Sequence, residues 1–125
     1  MTLRRFTVAA TTDASGDATA YSPALSGYIH DIQYVKTDYA DGVDFTITGE
    51  TTTRSIWAES NVNAATIKAI RQPTYSQAGV AALYASGGVA VNDRVAIVRE
   101  RIKFVIAQGG NTKVGTFYVT VDVGK

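Results

Sequence analysis

The sequence lacks cysteine altogether and has a single histidine, His30. Without cysteine there can be no disulfide, no thiolate metal site and no cysteine nucleophile. A metal site built on His30 would need carboxylates from distant parts of the chain, because there is no second histidine. In an extended strand His30 and Asp31 would point to opposite faces, so we expect no base-and-orienter pair and interpret His30 as a packed or surface residue.

Charge is also scarce, and the two signs are balanced. Charged residues make up 18% of the chain and the net charge is +1, whereas an average globular protein has roughly 25% charged residues. No basic run is longer than Arg4-Arg5, so no stripe that could follow a phosphate backbone is visible and we expect no nucleic-acid partner. A surface with few charges is suited to packing against copies of the same protein or against another protein.

Long apolar runs are absent as well. The sequence has no run of about 18 apolar residues that could cross a membrane, and residues 1–10 lack the apolar segment of a signal peptide. We therefore expect no membrane contact. The protein is expected to be made in a cytoplasm and to stay there or to enter a particle assembled there.

The common motifs of catalytic and cofactor sites do not occur. There is no G-x-S-x-G elbow, Walker A, G-x-G-x-x-G or H-E-x-x-H sequence, which removes the usual hydrolase, phosphate, dinucleotide and zinc sites. Ser86-Gly87-Gly88 lacks the residues that flank a nucleophile turn and is interpreted as a flexible turn. The sequence thus predicts a protein that is not an enzyme and holds no cofactor.

Apolar residues recur mainly with a period of two, which is typical of strands that bury one face. Val43, Phe45 and Ile47 alternate with polar residues, and the same alternation runs through residues 116–123. Weaker patterns of this kind cover residues 3–11, 27–36, 54–59, 64–71, 94–100 and 101–108. With turn signals such as Asp41-Gly42 between them, these segments predict one all-β domain over residues 1–125, an antiparallel β-sandwich or jelly-roll-like barrel of about eight short strands.

Residues 73–91 do not follow this pattern, because small residues are concentrated there. A short helix and a long loop both fit this composition. A long irregular segment in a compact domain often has a function, here that of reaching a neighbouring subunit.

Two groups of polar residues are candidates for a metal site or a docking site. Asp38, Asp41 and Asp44 surround Gly42 and could supply oxygen ligands to calcium, although their spacing does not match an EF-hand and an ordinary turn is the competing interpretation. The second group consists of long charged side chains on a predicted strand pair, where they could block edge pairing or dock a partner. Its members are Arg94, Arg99, Glu100, Arg101 and Lys103.

The aromatic residues could form a platform for sugars or bases, or they could belong to the core. Trp57 lies in a predicted strand and is interpreted as a half-buried core residue. Tyr34 and Tyr39, which flank Lys36 and Asp38, are predicted to be exposed.

Four segments carry a resemblance to a known family. They are residues 11–19 (TTDASGDAT), 29–36 (IHDIQYVK), 41–49 (DGVDFTITG) and 115–121 (GTFYVTV). In these segments, which are spread over most of the chain, the sequence resembles small structural proteins encoded among the head genes of tailed bacteriophages. The resemblance implies a capsid decoration, or cement, protein built on a β fold.

From this resemblance we expect a virion protein on the capsid surface that is assembled in the host cytoplasm, contacts the major capsid protein and forms a homo-oligomer, with a trimer favoured over a dimer. The residues expected at the capsid or subunit interface lie in the first strand, in the irregular segment and near the charged strand pair. They are Arg4, Arg5, Phe6, Tyr75, Tyr84, Arg99 and Arg101. A tail or head-to-tail joining protein and a carbohydrate-binding β-sandwich module are the alternatives.

Overall fold

The computed structural model describes residues 2–124, and these residues form ten strands and no helix. The strands are β1 (Leu3–Thr11), β2 (Ala18–Tyr21), β3 (Leu25–Val35), β4 (Val43–Gly49), β5 (Ser55–Val62), β6 (Thr66–Lys68), β7 (Arg71–Pro73), β8 (Asn92–Glu100), β9 (Ile102–Ala107) and β10 (Val114–Asp122). The predicted all-β class is therefore confirmed. β-Branched and aromatic residues dominate β4 and β10, because they pack well on a pleated surface.

The strands form two antiparallel sheets. The first sheet has six strands in the order β1-β10-β3-β8-β7, with β6 beside β3, and the second has four in the order β2-β9-β4-β5. Apart from the β4–β5 hairpin and the β6–β8 region, consecutive strands cross from one sheet to the other. Without the short strands β6 and β7, this strand order is the connectivity of a jelly roll, a β-sandwich in which the first and last strands are neighbours.

The core lies between the two sheets and is rich in aromatic rings. Phe117 of β10 packs against Tyr34 in its own sheet and against Phe45 and Phe104 in the opposite sheet, with ring centroids 5.0–5.4 Å apart. Within β4 and β10 the apolar residues predicted to face inward are buried, whereas Val123 just beyond β10 is only partly buried and Asp122, predicted to face outward, is buried. Alternation with a period of two thus located the buried faces of these two strands correctly.

Two tyrosines that were predicted to be exposed are buried instead. Tyr34 is 0% and Tyr39 1% accessible, and their rings stack with centroids 6.2 Å apart. The Tyr39 ring occupies the space that a side chain at Gly115 would fill. Its hydroxyl donates to the Ala10 carbonyl over 2.7 Å, and burial raises the pKa of Tyr39 to about 12.

The expected separation of His30 and Asp31 onto opposite faces is also wrong. The pairing of β3 with β10 shifts between Ile29 and Asp31, so that His30 is an extra residue in a β-bulge. His30 Nδ1 consequently lies 3.0 Å from Asp31 Oδ2. No other side chain in residues 2–124 forms a hydrogen bond with the ring.

The charged segment at residues 94–103 is not a strand pair. β8 belongs to the first sheet and β9 to the second, and the chain passes between the sheets at Arg101, the single residue that separates the two strands. Glu100 is buried at this crossing, where its carboxylate accepts from the Thr51 and Thr52 amides over 3.1 and 3.2 Å. The crossing thereby ties β8 to the β4–β5 turn.

Candidate functional site

The segment between β7 and β8, residues 74–91, is referred to below as the insert. No charged side chain occurs between Arg71 and Asp93. At the base of the insert, three backbone hydrogen bonds of 2.8–3.0 Å join Thr74, Ala82 and Val91 to one another: Thr74 N donates to Val91 O, Val91 N to Ala82 O and Ala82 N to Thr74 O. Of the two structures compatible with the sequence, the helix does not form.

Two small hairpins project from this base. They contain isolated bridges between Tyr75 and Ala81 and between Leu83 and Ala90. Gly79 and Gly87 have φ values of 80° and 70° and form their turns, because glycine adopts this left-handed conformation without a steric penalty. The insert is therefore a hydrogen-bonded element rather than a structureless loop.

The hairpins expose large apolar side chains. Five such side chains are between 44% and 76% accessible, namely Tyr75, Val80, Leu83, Tyr84 and Val89. Isolated apolar residues on a surface need no explanation, but a concentration of them without charges is typical of a surface that another molecule covers. The insert is the best candidate for a binding surface in the described residues.

The residues predicted at an interface fall into three separate regions. Tyr75 and Tyr84 lie on the insert, whereas Arg4, Arg5 and Phe6 lie on β1, at the opposite edge of the first sheet. Arg4 and Arg5 are exposed, and Phe6 packs partly buried against the core. β1 and the insert therefore cannot form one continuous patch; they offer two contact surfaces.

The third region contains Arg99 and Arg101 at the crossing between the sheets. Arg101 binds both carboxylate oxygens of Glu50 and lies over the Tyr21 ring at 4.0 Å. Hydrogen bonding to Arg101 lowers the pKa of the Glu50 carboxyl. Arg99 is exposed, and its amide donates to Ser26 Oγ over 3.0 Å. Arg101 thus already has partners within its own chain.

A cleft of about 480 Å³ opens beside Tyr28, Arg94 and Asp122. Arg94 Nη1 lies 3.1 Å from Asp122 Oδ2, and its guanidinium is 4.6 Å from the centre of the Tyr28 ring. The hydrogen bond from the Gly124 amide lowers the pKa of the Asp122 carboxyl most strongly, and the hydrogen bond from Arg94 lowers it further. The two charges in the cleft are thus paired with each other.

The three aspartates considered for calcium have separate partners. Asp41 pairs with Lys36 at 3.0 Å and Asp38 with Lys113 at 3.9 Å, while Asp44 accepts from the Asn61 amide over 2.8 Å. Within residues 2–124 no three His, Asp or Glu side chains are grouped so that they could hold a metal ion. The geometry around Gly42 is that of an ordinary turn.

Trp57 is 7% accessible, packs edge-on against Phe45 with centroids 4.9 Å apart, and donates from Nε1 to Glu59 over 3.1 Å. Its interpretation as a core residue is confirmed, and its burial exceeds the predicted half. Tyr34 and Tyr39 are buried as well, so none of these three aromatics presents a ring face to solvent, whereas Tyr75 and Tyr84 of the insert are exposed.

Comparison of the chain with protein-family models, with curated proteins and with solved structures finds no match. In the part of the chain that the structure describes, no helix is long and apolar enough to cross a membrane.

The sequence predicted an interface in the loop from Pro73 to Gly88, which contains Val80 and Leu83, but neither residue was named, and Val89 lies just beyond that loop. A signal for them was present, since the insert and the residues flanking it, from Gln72 to Asn92, carry no charge. Tyr75 and Tyr84 were predicted individually, but the apolar surface that they share with these three residues was not.

Proposed function

We propose that the protein is a non-enzymatic structural component of a bacteriophage particle, a decoration protein that binds the outer surface of the capsid through the insert. The observation that carries this proposal is the exposure of five large apolar side chains on a segment without charge. The family resemblance supplies the kind of particle, and the major capsid protein is the proposed partner.

Binding would add interface to the shell. Apolar surface removed from water contributes about 25 cal/mol per Å², and five large side chains are enough to form the centre of a standard interface. Repetition over the shell strengthens binding. Neighbouring binding sites are held in register, so one bound subunit of an oligomer raises the local concentration of its other subunits at the adjacent sites. Such a protein stabilises the shell against the pressure of packaged DNA without any chemical step.

The fold is compatible with this function but does not select it. Jelly-roll sandwiches occur in viral capsid proteins, in lectins and in cupins, and a fold alone does not define an activity. A sugar-binding module would use exposed aromatic faces. Trp57, Tyr34 and Tyr39 are buried, which leaves Tyr75 and Tyr84 of the insert for such a role. No observation favours a tail or joining protein over a capsid protein.

Particles that lack the protein test the proposal. We expect them to release DNA at a lower temperature than complete particles, because interface has been removed from the shell, and we expect the purified protein to restore the original temperature when it is added back. DNA release can be followed with an intercalating dye during heating. Equal release temperatures with and without the protein would contradict the proposal.

A further inference from the structure

β1 is an edge strand that carries two exposed charged side chains, Arg4 and Arg5, but is otherwise long and regular. It pairs with β10 over nine consecutive residues, with no shift in register, and contains neither proline nor glycine. Among residues 2–124 no strand pairs with its other side. Long regular edges of this kind can pair with a strand of another chain.

The other edges of the two sheets are shorter or irregular. β2 has four residues, and β7 has three and ends in Pro73. β5 pairs with β4 through two register shifts, and its Asn61 has a φ of 57°. Prolines, bulges and short lengths are devices that prevent edge pairing, and β1 has none of them.

The hydrogen bonds at the two ends of β1 identify which of its backbone groups are free. Val123 N donates to Thr2 O, and Thr12 N donates to Lys113 O, at 2.9 and 2.8 Å. Because antiparallel partners bond at alternate residues, the even-numbered residues of β1 bond to β10. The amides and carbonyls of Leu3, Arg5, Thr7, Ala9 and Thr11 therefore point away from β10, toward the free edge.

We propose that β1 pairs with β1 of a second copy around a two-fold axis at Thr7, which joins the first sheets of both copies into one continuous sheet. With Thr7 opposite Thr7, Arg5 faces Ala9 and Leu3 faces Thr11. This register pairs every free amide and carbonyl of the strand. An isologous contact requires such a self-complementary edge.

The side chains fit the same register. Arg5 lies opposite Ala9, whose small, exposed side chain leaves room for the long arginine stem. No two arginines face each other, which avoids the repulsion between like charges placed directly opposite. Arg5 lies over the Tyr118 ring of its own chain at 5.1 Å, away from the partner strand.

This contact closes with two copies and therefore gives a dimer, in place of the trimer expected from the family resemblance. It uses the edge opposite the insert, so the capsid-binding surface stays free. The dimer does not depend on capsid binding, and each can fail without the other.

Cysteine cross-linking tests the register, because the chain has no cysteine of its own. In a hydrogen-bonded antiparallel pair the two Cα atoms are about 5.5 Å apart, within the range of a disulfide. We expect Thr7→Cys to form a disulfide-linked dimer under mild oxidation. Thr11→Cys is the matched control, since Thr11 and its symmetry mate lie eight residues apart along the strand, about 27 Å, and should remain unlinked. Equal cross-linking of the two variants would overturn the proposal.

Sedimentation of the reduced, unlinked protein gives the second readout. We expect the wild type to sediment as a dimer. The Thr7→Lys dimer should dissociate at concentrations at least 10-fold higher than the wild-type dimer does, because two lysines would meet on the two-fold axis. Thr46→Lys adds the same charge to an exposed threonine of the second sheet and should leave the dimer intact. A monomeric or trimeric wild type, or equal dissociation of both variants, would overturn the proposal.

Discussion

Gly115→Ala is expected to destabilise the protein by about 3 kcal/mol, at the upper end of the cost of overpacking a core. A Cβ atom at this position would lie 2.0 Å from Tyr39 Cε2 and 2.4 Å from Cζ. The ring cannot move aside, because it is buried, stacked on Tyr34 and fixed by its hydrogen bond to Ala10. Thermal unfolding should show a melting temperature lower by roughly 10 °C.

Gly79→Ala is the matched control. Nothing lies within 4 Å of a Cβ at Gly79, and its φ is 80°, so this substitution adds only backbone strain of about 1 kcal/mol. Gly115 has no positive φ, so the cost there comes from the clash alone. If Gly115→Ala melted at the same temperature as Gly79→Ala, the packing described around Tyr39 would be wrong.

Tyr84→Asp combined with Val89→Asp is expected to weaken capsid binding by at least about 100-fold. Each large apolar side chain buried in an interface contributes roughly 1.5–3 kcal/mol, and an unpaired carboxylate placed there costs more. Two such losses correspond to a factor of 100 or more in affinity. Co-sedimentation with capsids lacking the protein measures the effect.

Val98→Asp is the control for the insert, because Val98 lies on β8 outside the insert and is 70% accessible, close to the 74% of Val89. All three side chains are exposed, so none of the variants should change the melting temperature by more than a few degrees. Equal capsid binding by Val98→Asp and by the insert variant would show that the insert is not the contact surface.

The sequence predicted the strands whose pattern is local. In β4 and in residues 116–121 of β10, β-branched and aromatic residues alternate between the two faces, so the buried face followed directly from the period of two. β2 was missed because Ala18–Tyr21 is short and has two alanines, which carry little strand preference. It is a strand because it pairs with β9, a contact between residues far apart in sequence.

The errors at single residues also have non-local causes. Tyr39 looked exposed because it stands among polar residues, but its buried position depends on Gly115, far away in the chain. His30 and Asp31 come together because β3 contains a bulge opposite β10. Alternation within one segment contains no information about either feature.

The candidate site was predictable in part. Composition marked the insert as unusual, but small and apolar residues occur equally in cores, helices and loops. Only the fold shows that, among the described residues, the core between the two sheets contains no residue of the insert and that the large apolar side chains of the insert stay exposed. The free edge of β1 likewise became visible only with the strand order.

The central proposal is that the protein covers a capsid. The copy number and position of the protein in an intact particle test this proposal most directly. Electron cryomicroscopy of purified particles, with quantitative mass spectrometry of the same sample, measures both. We expect hundreds of copies in a regular lattice on the outer surface of the shell, with the insert against the major capsid protein. A few copies confined to the tail or its joint, or none at all, would contradict the claim.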